Sequence, residues 1–509
     1  MHIQEKHKKW WILSAMTSCV SMIFVDITVL PVALPTIQRY FEASATMLQW
    51  ILNSYTLTLG VFVITGGKLG DLWGRKKCFF LGLALFSLAS ASCAISQHIY
   101  WFIFSRALQG IGAAILIPTT YSILLTSFPQ QERGKALGTY MSVGSIFLSL
   151  GPLIGGSLTE FFSWRLIFFI NIPIALIGFI LSKIFVVESV NKKAVIDIKG
   201  FFFLSIGIVS MILPIMQGNF WGWWSIKTLS LFALSIILLY RLYQHEKLSL
   251  HPFIDFKLYK KKTFLGANIC ILCNQLQISV TVYWAIYIQN ILHYTPAQAG
   301  MLGIIANLPI FFMGPIAGFL SDRCGPKIPV TFGFIFVFLS LATFTLHPDP
   351  SLNLLLAIFI FYGCGVRLIY TPSIAFAMEH VNDQKKGMIS GMTATLRQIG
   401  STLGIAVFTA LFINKETMIF FYDVIHNPSL SNVPTFNWQG IIPKIPSSIA
   451  FVESLPHQAA SDIMLYAKEA YKAGFVYINA IASLIAVIGI ILSWLLFPKN
   501  QITKKIISE

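Results

Sequence analysis

The sequence predicts an all-α integral membrane protein of fourteen transmembrane helices: two six-helix halves with two further helices inserted between them. Three observations predict it. The chain is too apolar for a water-facing surface, it carries fourteen bilayer-length apolar runs, and a short motif recurs at matching places in its two halves. Of 509 residues, 56% belong to the AVILMFWYC set and 11% are charged, with a mean hydropathy of +0.73. An ordinary globular chain is about 25% charged. Intrinsic disorder, a soluble enzyme and a disulfide scaffold are thereby excluded.

The fourteen runs cover approximately 11–36, 48–70, 77–96, 100–126, 136–160, 165–187, 199–217, 225–243, 263–291, 297–320, 328–346, 352–378, 388–414 and 473–497. Each is long enough to span about 30 Å of hydrocarbon. They read as helices, because the other spanning solution, a closed barrel, shows short alternating segments. The first run follows Lys6, Lys8 and Lys9 with no small-residue cleavage site at signal-peptide distance, so it reads as a retained first span.

Orientation follows from the basic residues. With the N-terminus in the cytoplasm, 26 of the 36 Lys and Arg fall on the cytoplasmic side. Seven fall outside, and Arg106, Arg367 and Arg397 lie within the membrane. The net charge of +16 is thus explained by topology and not by nucleic-acid binding. The expected location is a bacterial inner (plasma) membrane with both termini cytoplasmic.

The repeat sets the halves. Gly67, Leu69, Asp71 and Gly74 follow the second run, and Gly318, Leu320, Asp322 and Gly325 follow the tenth. The expected units are 1–190 (first half), 191–257 (two inserted helices) and 258–509 (second half), the last with a long outer loop at 415–472. Parallel halves around a central cavity are a transporter architecture.

The cysteines offer no framework. Cys270 and Cys273 have CxxC spacing, but inside an apolar run, where redox or metal chemistry lacks polar access. No Walker motif, HExxH or GxSxG is present, so neither ATP hydrolysis nor an enzyme is expected.

Several polar stretches interrupt the apolar runs. Asp26, in "DITVLPVALP", is the single acid read as interior to a span. A lone ionisable group at a helix centre costs at least about 2.5 kcal/mol. It therefore either pairs with an intramembrane arginine or does proton chemistry, and the two are compatible. "SRALQGIGAA" carries Arg106 and Gln109, "GPLIGG" spans 151–156, and Gly144, Gly151 and Gly155 share one helix face. "WRLIFFINIP" begins at Trp164 and "LRQIGSTLGIA" at Leu396.

In combination these motifs resemble the fourteen-helix drug:proton antiporters of the major facilitator superfamily, the EmrB/QacA type. The resemblance covers nearly the whole chain and is weakest around the inserted helices and 415–472. It implies a major facilitator fold and a proton-coupled exporter of amphiphilic small molecules, working by alternating access. Asp26 would be the coupling carboxylate and Arg106 its tuning cation, unless Arg106 snorkels to an interface. Gly67, Asp71, Gly74, Arg75 and Lys76, with Asp322, Arg323 and Gly325, would form a conformational latch. Gly144, Gly151, Pro152, Gly155 and Gly156 would form the antiporter motif, which points to export. The family usually has Asn where Pro31 stands, and that proline is expected to break the first helix near Asp26.

The substrate cavity is expected to draw on Arg367, Arg397, Gln398, Asn274, Gln277 and Tyr283. Amides mixed with aromatics suit a broad amphiphilic pocket. Arg367 is either an inner-half arginine snorkelling to the cytoplasmic face or a cavity cation for an anionic or zwitterionic substrate. The rival readings are a dedicated exporter of an anionic or zwitterionic metabolite, siderophore or lipid, and a non-transporting membrane sensor or assembly partner. The expected partners are the bilayer, protons and an amphiphilic small molecule; the resemblance leaves open a periplasmic adaptor protein. No cofactor beyond the proton gradient is expected.

Overall fold

The computed structural model describes residues 5–129, 132–189, 197–248, 256, 258–379, 386–427, 430 and 438–497. It is helical throughout the membrane part. The helices are α1 (Glu5–Phe41), α2 (Ala45–Trp73), α3 (Arg75–Ala94), α4 (Ile99–Ser127), α5 (Arg133–Phe161), α6 (Leu166–Phe169), α7 (Asn171–Phe185), α8 (Ile198–Trp221) and α9 (Ile226–Leu248). They continue as α10 (Lys262–Ile278), α11 (Thr281–Asn290), α12 (Pro296–Asn307), α13 (Pro309–Cys324), α14 (Lys327–Leu346), α15 (Leu352–Glu379), α16 (Lys386–His426), α17 (Pro446–Glu453) and α18 (His457–Leu496). Among the described residues, thirteen helical stretches are long and apolar enough to cross a membrane. The 29-residue α2 lies between two of them.

Three expected runs are interrupted without ending a span. Run 165–187 is α6 and α7, run 263–291 is α10 and α11, and run 297–320 is α12 and α13. Conversely, Pro31 does not break the first helix: α1 runs unbroken through Pro31 and Pro35 for 37 residues. Neighbouring helices can re-satisfy the backbone groups that a buried proline frees.

The expected outer loop at 415–472 is mostly helix. Helix α16 continues twelve residues past 414 to His426, α17 lies within the segment, and α18 already begins at His457. An apolar run, Met418 to Phe421, carries α16 onward and gives it something to bury. Phe420 stacks on Trp438 at 4.1 Å, and both join Ile441, Val452, Ile463 and Ala467 in a separate small core. These extensions form a cap on the face opposite the chain termini, called here the far face.

Helix approach is close where glycine permits it, as in membrane proteins generally. A Cβ on Gly144 would meet Phe24, on Gly151 Thr28 and on Gly155 the Val29 carbonyl, so one face of α5 lies against α1. The opposite face meets α12: a Cβ on Gly156 would lie 2.2 Å from the Pro296 carbonyl oxygen, and one on Gly300 2.3 Å from that of Pro152. Glu160 of α5 also accepts a hydrogen bond from the Ala297 backbone N–H at 2.8 Å, capping the first turn of α12. Farther round, Gln289 Nε2 donates to the Val32 carbonyl (2.8 Å) and Gln49 Nε2 to that of Ala406 (3.1 Å). These contacts join the first and second parts of the chain near the far face. Toward the terminal face, a Cβ on Gly314, Gly318 or Gly325 meets nothing within 4 Å among the described residues.

Candidate functional site

Helices α1 and α4 pack closely enough to bring Asp26 and Arg106 together. Asp26 is 1% exposed and Arg106 2%. Arg106 Nη1 donates to Asp26 Oδ2 at 2.7 Å and to Gln109 Oε1 at 2.7 Å. Gln109 Nε2 donates to Asp26 Oδ1 at 2.9 Å, so both carboxylate oxygens are held. Arg106 and Gln109, three residues apart, share a face of α4. The snorkelling alternative for Arg106 is therefore overturned: the guanidinium lies inside the bundle.

Two further side chains complete the cluster, and neither role was read from the sequence. Tyr55 of α2 presents its ring 4.3 Å from the guanidinium carbon, a cation–π contact strengthened by desolvation. Asn171, at the start of α7, donates to Ser90 Oγ at 3.0 Å and reaches Asp26 Oδ1 at 3.5 Å. Asn171 is the one amide in "WRLIFFINIP", and that isolation was the available signal. Among the described residues, Arg106 Nε and the Tyr55 hydroxyl have no hydrogen-bond partner. Four helices thus converge on one ion pair. Removing two charges from water costs several kcal/mol each, which their attraction offsets only with good geometry and satisfied hydrogen bonds.

Asp26 is not the single buried acid, as the sequence suggested. Glu416 is 3% exposed, on the stretch of α16 that lies within the expected outer loop 415–472.

The repeated turns match in backbone. Gly74 ends α2 with φ +110° and Gly325 ends α13 with φ +75°, both in a region that favours glycine. The side chains of Asp71 and Asp322 lie outside the described residues. What holds the first turn is a residue not foreseen. The Glu188 carboxylate, just beyond α7, accepts from the backbone N–H of Lys76 (3.0 Å) and Lys77 (3.1 Å). It caps the N-terminus of α3, where a negative charge is favoured. Arg75 N–H donates to the Ser189 carbonyl, and Lys76 Nζ to those of Lys183 and Val186. In the second turn, Arg323 lies over the Phe319 ring at 4.7 Å.

The expected cavity residues separate into groups. Asn274 and Gln277 are fully buried on α10, and among the described residues none of their four amide atoms has a hydrogen-bond partner. Tyr283 instead donates to the Thr409 hydroxyl and packs against Phe412. Arg397 donates to the Tyr370 hydroxyl at 2.7 Å, so α15 and α16 share that contact. Gln398 packs against Gly60 of α2. Arg367 is half-buried near Tyr370 and Arg397, and no hydrogen bond or ion pair reaches it among the described residues. All seven cysteines are unpaired, Cys270 and Cys273 included.

Comparison with known proteins places this geometry. Residues 16–405 match the model of the Major Facilitator Superfamily. The chain is 30% identical to the multidrug resistance protein Stp of Mycobacterium tuberculosis, over 76% of this chain and 72% of that one. It is 32% identical to the riboflavin transporter RibZ of Clostridioides difficile, over 81% and 90%. It is 26% identical to the tetracenomycin C resistance and export protein of Streptomyces glaucescens, over 81% and 78%. Among solved structures, a bacterial homolog of the human lysosomal transporter Spinster shares the fold, with a TM-score of 0.64 at 17% identity, covering 96% of this chain and 97% of that one. An all-helical chain of this architecture, matched over most of its length, is a multi-pass membrane transporter of the Major Facilitator Superfamily.

Proposed function

We propose that this transporter is a proton-coupled exporter of amphiphilic small molecules, and that Asp26 is the residue that exchanges protons with substrate transport. The observation that carries the reading is the sealed Asp26–Arg106–Gln109 cluster. A protonated Asp26 gives up most of its attraction to Arg106, which reorders α1 against α4. Because α5 lies between α1 and α12, a shift of α1 is felt where the two halves meet. Differential stabilisation of two states by proton and substrate is all that coupling requires. The joined far face suits a state open toward the terminal face, which we take, in line with the basic-residue count, as the cytoplasmic side. The export and multidrug-resistance relatives support the direction and the substrate class.

The unpaired amides of Asn274 and Gln277 are the best candidates for orienting a ligand. Buried polar groups are normally paired, and an amphiphilic substrate would supply the partners. A second reading, an anionic or zwitterionic substrate, is favoured by Arg367, a permanent cation without a hydrogen-bond or ion-pair partner among the described residues and beside a second arginine.

The test is transport by purified protein in proteoliposomes under an imposed pH gradient, using a lipophilic cationic dye and a carboxylate-bearing dye. Accumulation that collapses with a protonophore supports the proposal. Transport indifferent to the gradient contradicts proton coupling, and preference for the carboxylate dye selects the second reading.

A further inference from the structure

Glu416 sits where the two halves close on each other. It borders a small cavity of about 40 Å³ at the far face, lined from the first half by Leu34, Gln38 and Leu52 and from the second by Tyr283, Phe412 and Tyr471. Gln439 and Pro443 of the cap also line it. Among the described residues no hydrogen bond or ion pair reaches its carboxylate. The groups facing it are phenols and an amide: Tyr283 on α11, Tyr471 on α18 and Gln38 on α1. Tyr283 gives its proton to Thr409, and Gln38 Nε2 donates to the Ala43 carbonyl. The nearby cations are turned elsewhere. Lys415 lies over the Tyr477 ring, Lys472 pairs with Asp349, Arg39 bonds Pro35 and Thr36, and Lys444 and Lys468 line a separate groove.

A carboxylate in that seam has two very different energies. Ionised, it is a buried charge without a counter-ion among the described residues, which costs several kcal/mol after relaxation. Protonated, it is a small polar group that the seam can hold. We infer that Glu416 is a second proton-binding site, one that lets the far face close when it carries a proton and holds the face open when it does not. On the proton-rich side of the membrane this would couple proton capture to closure of the far face after substrate release. Asp26, on the other half and away from this seam, then acts at a different step.

The inference deepens the proton-coupled reading and rests on it, so the test reads conformation and not transport. Spin labels at Gln97→Cys and Ser351→Cys, both exposed on far-face turns of opposite halves, are introduced after replacement of the seven native cysteines. Their separation is measured by double electron–electron resonance in purified protein across acid to alkaline pH. The expected result is a distance that lengthens as pH rises in the otherwise wild-type protein and in Glu416→Asp. In Glu416→Gln it stays short at every pH, while Asp26→Asn retains a rise with pH. A response in Glu416→Gln equal to that of wild type overturns the inference, as does a wild-type distance that ignores pH. Failure of Asp26→Asn to affect transport would overturn the coupling proposal and leave this result standing.

Discussion

Arg106 Nη1 lies 2.7 Å from both Asp26 Oδ2 and Gln109 Oε1, so one donor nitrogen ties the α1 carboxylate to its own α4 neighbour. Cutting one partner strands the other. Arg106→Ala should destabilise the folded protein by about 3–5 kcal/mol, because it leaves a buried charge uncompensated. Much of that loss should vanish in the Asp26→Asn background. A double-mutant cycle of unfolding in detergent measures the coupling, and additive effects would contradict a shared ion pair.

The α5–α12 contact should be intolerant of volume. A Cβ on Gly156 or Gly300 would press on backbone carbonyls at 2.2 and 2.3 Å, and backbone yields less readily than a side-chain tip. Gly156→Ala should cost about 1–3 kcal/mol in the far-closed state. It should raise the reactivity of a far-face cysteine label. Gly318→Ala, which meets nothing within 4 Å among the described residues, should leave that labelling unchanged.

The turn between α2 and α3 should govern rates and not affinity. Glu188 caps α3 there, at the terminal face, whereas Asn274 and Gln277 lie twelve and fifteen residues beyond the first residue of α10. Glu188→Ala and Asp71→Asn should each alter the rate of exchange between the two open states, with substrate affinity nearly unchanged. Equilibrium dye binding alongside single-molecule distance changes checks this. A large loss of affinity with normal exchange would contradict the latch assignment.

Arg367 separates the two substrate readings. If it faces the ligand, Arg367→Leu should weaken export of a carboxylate-bearing dye and spare a lipophilic cation. A fixed charge in a closed cavity acts far more strongly than the about 1 kcal/mol it exerts in water at contact. Arg367→Lys should rescue a point-charge role but not a bidentate grip. Equal small effects on both dyes would remove the anionic reading.

Much of this was legible in the sequence, and the failures have physical reasons. Apolar length located thirteen bilayer-length helices that the described residues also show, because the bilayer admits so few solutions, while the second expected run is the 29-residue α2, outside that set. Asp26 and Arg106 stood out as charges in apolar runs, yet their pairing needed the packing of α1 on α4, eighty residues apart. The segment 415–472 reads as an outer loop because prolines and polar residues crowd it. Its apolar turn, Met418 to Phe421, was the overlooked sign that α16 continues and buries Glu416. Pro31 looked like a break because its effect was judged from α1 alone. Glu188 had no local signal for this role, since the α3 amides that it caps lie more than a hundred residues away.

The central claim is that Asp26 links the proton to the substrate. The most direct test compares wild type and Asp26→Asn in the same proteoliposomes, measuring dye binding, counterflow exchange and accumulation driven by an imposed pH gradient. Asp26→Asn strands the buried Arg106 charge and should be less stable, but the folded fraction should bind dye and exchange it, since Gln109 and Asn171 still donate to a neutral side chain, and should not accumulate dye against its gradient. Accumulation by Asp26→Asn at the wild-type rate would contradict the account.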